Sequence, residues 1–346
     1  GTPAPPPPGA APVSINLDLT VACNYRCTHC IDWDVLNTNN RYEEEELRSS
    51  IALLRARGLR SVILIGGGEP TLFPGFPGFV AFLKELGLQV AIVTNGSRGD
   101  RLLEAIEVLE DGDWIRMSLD SGSNELFRRM HLPTSGRVTL DAICEWVPKL
   151  KAANPAPRIG FSYIVVWERA KRSGFDYIGF KPVLERQADG SEVMDPEKAH
   201  DRSLSIARIR AAVDRAKELQ ADGFDVYESV NLKLLEDGTW KNATRQPKTC
   251  HMQALRQVLS PIGTFNCPAH RGVDKARIGE GAGYVDAARA ADMGASLAQM
   301  LETFDASHEC RNVTCLYHDV NWWIEELVEN PELESEVAED RADTFL

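Results

Sequence analysis

"CNYRCTHC", residues 23–30, sets Cys23, Cys27 and Cys30 in the pattern C-x3-C-x2-C. Three thiols in one short loop do not pair off into disulfides, and such clustering points to metal. Three thiolates can hold three irons of a [4Fe–4S] cluster and leave the fourth iron open to a substrate or cofactor. A structural zinc ion needs a fourth ligand, and His29 is the local candidate. It is wedged between Cys27 and Cys30, a poor position from which to reach the same ion. The iron–sulfur reading is therefore preferred.

Outward from this loop, short β-branched strands alternate with helical patterns. Strands are expected at "SINLDLT" (14–20), "SVILIGG" (61–67), "QVAIVTN" (89–95), "WIRMSLD" (114–120), "RIGFSYIVV" (158–166) and "DYIGFKPV" (176–183). Helical spacing fills the gaps in "EEEELRSSIALLRARG", "FPGFVAFLKELG", "DRLLEAIEVLED" and "LDAICEWVPKLKAA". Repeated strand–helix–strand order predicts an α/β fold, a partial (β/α)6 parallel barrel with its helices outside. Chemistry in such folds gathers at the C-terminal ends of the strands. One junction conflicts with this plan. In "IVVWERAKRSGFDYIGF" about eight residues separate two strands, fewer than a parallel crossover needs. A segment missing from the chain near Trp167–Ala170 is the expected cause, in preference to strands that are not parallel neighbours.

A long helix, "SLSIARIRAAVDRAKELQAD" (203–222), is expected to close this barrel domain, residues 14–222. Residues 223–324 read as a small second domain of hairpins and irregular cysteine-bearing loops. Residues 1–13 read as a flexible proline-rich leader, and residues 325–346 as an acidic helix and tail.

The chain has 346 residues, 43% apolar and 26% charged, a globular composition. Its net charge of −13 is uneven: nine acids and one arginine lie between Glu325 and Asp343, leaving −5 for the rest. That tail reads as a solvated acidic face or frayed terminus. No basic stripe argues for nucleic acid, and no apolar run is long enough to span a bilayer. The opening "GTPAPPPPGAAP" has neither a cationic nor an apolar signal region. A cytoplasmic protein is expected, where clustered cysteines more often hold metal than form disulfides.

The loop and the strand ends resemble the radical S-adenosylmethionine (SAM) superfamily over roughly residues 14–222. "GGGEP" (66–70) is similar to the family's glycine-rich motif, which implies that Gly67, Gly68 and Glu69 receive the ammonium of SAM. "TNG" (94–96) and "SLDSG" (118–122) end the third and fourth strands. The resemblance assigns Thr94, Asn95, Ser118 and Asp120 to the methionine and ribose parts of SAM. Arg129 would pair with the SAM carboxylate, with Arg128 equally available by sequence. His29 stands where the family usually has an aromatic residue beside the adenine, and Ser162 and Val165 are adenine-side candidates on the fifth strand. The implied chemistry is reductive cleavage of SAM to a 5′-deoxyadenosyl radical that removes hydrogen from a substrate. A flavodoxin- or ferredoxin-type electron donor is implied with it.

Cys250, Cys267, Cys310 and Cys315 form a second set, C-x16-C-x42-C-x4-C. The first pair brackets "LSPIGTFNC", a hairpin with its turn at Pro261–Gly263. This layout resembles the twitch domain, the shorter relative of SPASM domains, which implies one auxiliary [4Fe–4S] cluster with all irons protein-ligated. A four-cysteine zinc site is the alternative. His251, His270, His308 and His318 crowd these cysteines and could tune the cluster or serve zinc.

A fully ligated cluster suits electron transfer. Within the family the arrangement is similar to the 2-deoxy-scyllo-inosamine dehydrogenase group, which oxidises a secondary alcohol on an aminocyclitol. The expected function is oxidation of a small polar metabolite (a sugar, cyclitol or nucleoside) with the auxiliary cluster as electron acceptor. No module that would grip a leader peptide precedes the first strand, which sets a peptide-modifying maturase second. A redox-neutral epimerase is third, with Cys144 as hydrogen donor, although a lone helical cysteine is normally a small buried hydrophobe. A zinc-dependent binding module is the reading from another class. Substrate-contact candidates are Asp32, Trp33, Asp34, Tyr163, Trp167 and Lys181, with Lys181 also the candidate catalytic base.

Overall fold

The computed structural model describes residues 11–162, 172–182, 185–187, 192–193, 206–336 and 343–345. Strands β1 (Ser14–Leu17), β2 (Ser61–Leu64), β3 (Gln89–Thr94), β4 (Trp114–Ser118), β5 (Arg158–Ser162) and β6 (Tyr177–Phe180) occur where the alternating pattern predicts them. Later come the small antiparallel hairpin β7 (Glu185–Arg186) and β8 (Glu192–Val193), then β9 (Asp225–Glu228), β10 (Arg256–Ser260), β11 (Gly263–Phe265) and β12 (Arg277–Gly279). The main sheet runs β12-β11-β10-β1-β2-β3-β4-β5-β6-β9.

The parallel part of this sheet exceeds the six expected strands. β9 joins β6, with Tyr177 opposite Asp225. β10 joins β1 in parallel, with Ser14 opposite Arg256 and Leu17 opposite Leu259. The short polar segment "DVYE" of β9 carries almost no apolar signal, and β10 is separated from β1 by most of the chain. β5 and β6 are parallel neighbours, with β5 described as far as Ser162. Residues 167–170, where a missing segment is expected from the sequence, lie outside the described residues. The predicted hairpin at 261–263 is present as β10 and β11, with Ser260 opposite Gly263.

Helices α1 (Glu44–Ala56), α2 (Phe76–Glu85), α3 (Gly99–Ile106), α4 (Asn124–His131), α5 (Leu140–Cys144) and α6 (Trp146–Ala153) cover one face of the sheet. In α1, Leu47, Ile51 and Leu54 recur at helical spacing and are wholly buried, each contributing about 1.5–3 kcal/mol. They pack in one apolar cluster with Ile15, Leu17, Ile115, Met117, Ile159 and Phe161 from the strands. Side chains alternate along a strand, so Ser14, Asn16, Arg116, Ser118 and Ser162 face the opposite way, into the barrel. The helix side is oily and the interior polar.

Beyond β6 the chain forms α7 (Ile206–Lys217), α8 (Val230–Glu236), α9 (Met252–Leu255), α10 (Ala287–Thr303), α11 (Ala306–Glu309) and α12 (His318–Glu329). Among the described residues no helix is long and apolar enough to cross a membrane.

The end of the acidic tail is anchored, contrary to the expectation of a frayed terminus. Thr344 donates to Gln89 Oε1 from its amide (2.8 Å) and its hydroxyl (2.6 Å), and Ser61 donates to the Thr344 carbonyl (2.8 Å). Phe345 meets Trp114 edge-on, ring centres 5.5 Å apart. Ser61, Gln89 and Trp114 begin three adjacent strands, so the tail closes on their N-terminal ends. Deleting residues 344–346 is expected to cost roughly 1–2 kcal/mol, from lost hydrogen bonds and one ring contact. The check is a lower urea midpoint at unchanged slope; an unchanged midpoint would remove the anchoring role.

Candidate functional site

The three-cysteine loop follows β1 and is fastened on two sides. Glu69 donates its amide to the Ala22 carbonyl (2.8 Å), and a Cβ on Gly68 would lie 2.3 Å from that same oxygen. Only glycine permits this approach. From the other side, the amides of Arg26 and Thr28 donate to the carbonyls of His131 and Met130, at the end of α4 (3.1 and 2.9 Å). Burial pushes all three thiols up, Cys30 to about 11; Cys27 feels Cys30 and Cys23, and Cys30 feels Cys23, so the three face one place. His131 is buried, its Nε2 set 2.8 Å from the Leu119 carbonyl and its Nδ1 3.2 Å from Cys27 Sγ.

Glu69 is the brace of the strand ends. Its carboxylate is 2% exposed and accepts from the Thr71 amide (3.1 Å), the Thr71 and Thr94 hydroxyls (2.6 Å each) and the Asn95 amide (2.7 Å). Asn95 also donates from its side chain to Asn24 Oδ1 (2.9 Å), and Tyr25 donates to the Asn95 carbonyl (3.2 Å). Gly67 takes a left-handed φ of +65°, with Asp18 packed against the place of its missing side chain. The expected residues of the second and third strand ends therefore form one network with the cysteine loop.

Asp120, at the end of β4, adopts a left-handed φ of +39° and lies 3.3 Å from His29 Nε2 and 3.9 Å from His131 Nε2. Burial opposes its ionisation. The hydrogen bond from His29 and the charges of Lys181, His29 and His131 outweigh that and hold the carboxyl below its usual range. Lys181, exposed just after β6, is thus within electrostatic reach of the same centre. Ser118 and Ser162 stand opposite one another in register, the Ser162 hydroxyl buried without a hydrogen-bond partner.

Other expected residues are placed differently. Arg128 and Arg129 are exposed on α4. Cys144 is packed in the apolar layer outside the barrel, its thiol raised by burial, which is a poor location for a hydrogen donor. Asp32 pairs with Arg271 (2.9 Å), Asp34 lies 3.5 Å from Arg186, and Trp33 is exposed. Tyr163, Val165 and Trp167 lie outside the described residues.

The second cysteine set also converges. Burial lifts Cys250, Cys310 and Cys315, the last to about 12, and Cys250 and Cys310 both feel Cys267 and Cys315. A separate small core of Phe304, Ala306, Cys310 and Val313 packs with Cys250, Ala269 and Cys315. His270 Nε2 is 3.6 Å from Cys310 Sγ, whereas His251 meets Glu325, His318 meets Gln246 and His308 is exposed beside Arg311.

Among the described residues, His29, Asp120 and His131 offer three ligand atoms that all lie within 4.8 Å of one another. Three thiols in one set and four in the other suit the corners of two cubanes. Cys23, Cys27 and Cys30 would hold the first cluster and the other four cysteines a second.

Arg271 ties the two regions together. It is 4% exposed, pairs with Asp18 (3.3 Å) and Asp32 (2.9 Å), and lies against Gly66. Arg186 in turn donates to the carbonyls of Arg271 (2.7 Å) and Ile31 (3.2 Å). Arg256 donates to Asn16 (2.6 Å) from β10. None of Asp18, Arg116, His131, Arg256 or Arg271 was singled out from the sequence. Polar residues alternating through "SINLDLT" and "WIRMSLD" were the available signal, since parallel strands buried on both faces normally read as continuous apolar runs.

Comparison with known proteins agrees with this geometry. A family model described as the radical SAM superfamily matches residues 17–166. A GTP 3′,8-cyclase of Chlorobaculum tepidum is 38% identical over 116 residues, 33% of this chain and 34% of the cyclase. An S-adenosylmethionine-dependent nucleotide dehydratase of a Thermoplasmatales archaeon is 34% identical over 110 residues, 31% of this chain and 38% of the dehydratase. The chain thus spans little more than a third of each relative. The structure of anSMEcpe with bound AdoMet superposes with a TM-score of 0.58 at 17% identity, covering 86% of this chain and 82% of that one, a likeness of fold. Residues 17–166 are a radical SAM domain, whose cofactors are SAM and a [4Fe–4S] cluster.

Proposed function

We propose that this chain is a radical SAM oxidoreductase that takes hydrogen from a small polar metabolite inside the barrel and passes the remaining electron to an auxiliary cluster. The observation that carries this reading is the parallel pairing of β10 with β1. It joins the strand that leads to the three-cysteine loop directly to the hairpin bracketed by Cys250 and Cys267, so both cysteine sets serve one barrel. A second, fully protein-ligated cluster has no iron open to substrate and suits electron transfer.

When bound, SAM and the reduced first cluster supply the hydrogen-abstracting radical. The chain's own part is positioning and exclusion of water. Gly66–Glu69, Thr94 and Asn95 form the rigid floor for SAM, and His29 with Asp120 borders it at the end of β4. Lys181, exposed at the mouth within electrostatic reach of Asp120, is the candidate base, its ammonium giving a proton to solvent before the neutral amine receives one from a substrate hydroxyl. The relatives named for GTP and for nucleotides favour a nucleoside-like or sugar-bearing substrate. The dehydrogenation itself follows the 2-deoxy-scyllo-inosamine dehydrogenase precedent.

Anaerobic reconstitution tests the two-cluster reading. Wild type is expected to bind roughly eight irons and Cys23/Cys27/Cys30→Ala about four, since each cubane holds four. About four irons in wild type, all lost in the triple variant, would sink the auxiliary cluster and with it the oxidation. Gly68→Ala, which drives a methyl group into the Ala22 carbonyl, is expected to lose most of the first cluster's iron while keeping the second. Wild-type iron content in that variant would show that the close approach does not hold the loop.

A further inference from the structure

Building on the hydrogen-abstraction reading, we propose that the barrel interior holds its substrate by a phosphate group placed between Arg116 and Arg256. Arg116 belongs to β4, where Ile115 and Met117 face the helices, so its side chain enters the barrel. Its Nε is buried without a hydrogen-bond partner, and its guanidinium stands over the Trp114 ring, 5.6 Å from the ring centre. Arg256 belongs to β10, opposite Ser14, and is 9% exposed. Its guanidinium donates to Asn16 and stands 5.4 Å from the Tyr317 ring centre, while its Nε also has no hydrogen-bond partner.

The nearby acids are committed elsewhere. Asp18 and Asp32 pair with Arg271, and Asp120 with His29. Burial pushes Arg256 down to about 10, and the like charges of Arg271 and Arg116 act in the same direction. Both guanidiniums face the barrel interior within electrostatic reach of one another, and neither can shed its proton near neutrality. A carboxylate would bring one negative charge. A phosphate monoester brings about −1.5 to −2 at pH 7 and three acceptor oxygens, which suits two arginine forks.

The position is apt. Arg116 feels Tyr177 and, on the SAM side, Asp120, and Arg256 feels Cys267, on the side of the second cysteine set. Thiolates of that set could offset Arg256, but none is among the charges felt by Arg116. A ligand that satisfies both arginines lies between the two centres, where hydrogen abstraction and electron acceptance must both reach it.

The test is calorimetric titration of the reconstituted protein at low salt with inorganic phosphate, pyrophosphate and acetate. Wild type is expected to bind phosphate or pyrophosphate, with acetate about tenfold or more weaker. Arg116→Met and Arg256→Gln are each expected to weaken pyrophosphate by about tenfold or more, and Arg116→Lys by less. Iron content equal to wild type verifies folding, and Arg116→Lys carries the test if the methionine variant misfolds. No binding to wild type, equal binding by all variants, or acetate as tight as phosphate overturns the proposal. So does an Arg256→Gln variant that shifts only the auxiliary cluster's reduction potential, since that guanidinium would then be a counter-charge for the cluster. Substrate-free SAM cleavage by wild type is measured in parallel. Cleavage without anion binding removes the phosphate site alone, and anion binding without cleavage removes the radical reading alone.

Discussion

The parallel pairing of β10 with β1 is the constraint on which the rest of the structure depends. Residues far apart in sequence become hydrogen-bonded neighbours, from Ser14 with Arg256 to Leu17 with Leu259. Parallel strands require long crossovers, and here nearly the whole barrel is the crossover. The consequence is geometric. The loop after β1 carries three cysteines, and the hairpin that begins with β10 is bracketed by two more. Neither region can move independently of the other without breaking the sheet.

A second layer of restraint is electrostatic. Arg271 enters from the second cysteine region and pairs with Asp18 and Asp32, on either side of the first cysteine loop. Such buried pairs contribute little net stability, because desolvating the charges offsets most of their attraction. Removing one partner is costly, however, so the pair fixes position more than it adds strength. Glu69 works similarly on the other side of the loop. Burial works against its charge, yet four donors converge on the carboxylate. The cysteine loop is held in place by a charge pair on one flank and a buried carboxylate on the other.

Much of this was legible in the sequence, for a physical reason. Strand periodicity and helix periodicity are local signals, and β1 to β6 with their helices were readable from them. The C-x3-C-x2-C spacing and "GGGEP" were also local. What escaped was non-local. The pairing of β10 with β1 leaves no trace near either strand, and "DVYE" is too short and polar to announce β9. Arg116 and Arg256 carry no motif, and only their inward position in the sheet gives them meaning. Arg129 is the opposite case: a chemically suitable residue beside the right motif that stands exposed on α4. Residue type proposes a role, and the register of the backbone decides it.

The two cysteine sets differ in what their ligands do for the fold. Every thiol of these sets whose shift is resolved is raised by burial, so without a cation those thiols are protonated near neutrality. Metal binding must displace those protons, and its free energy is thereby coupled to the local structure. The first set lies on a loop already fastened by Glu69, Gly68 and the end of α4. Its support comes from the barrel. The second set sits within its own small core, in which Cys310 is itself a buried member and Cys250 and Cys315 pack against it. Four side chains and the thiols between them make a core too small to order that region unaided. Ligation there substitutes for missing apolar burial, whereas ligation in the first loop completes a site that the barrel has already shaped.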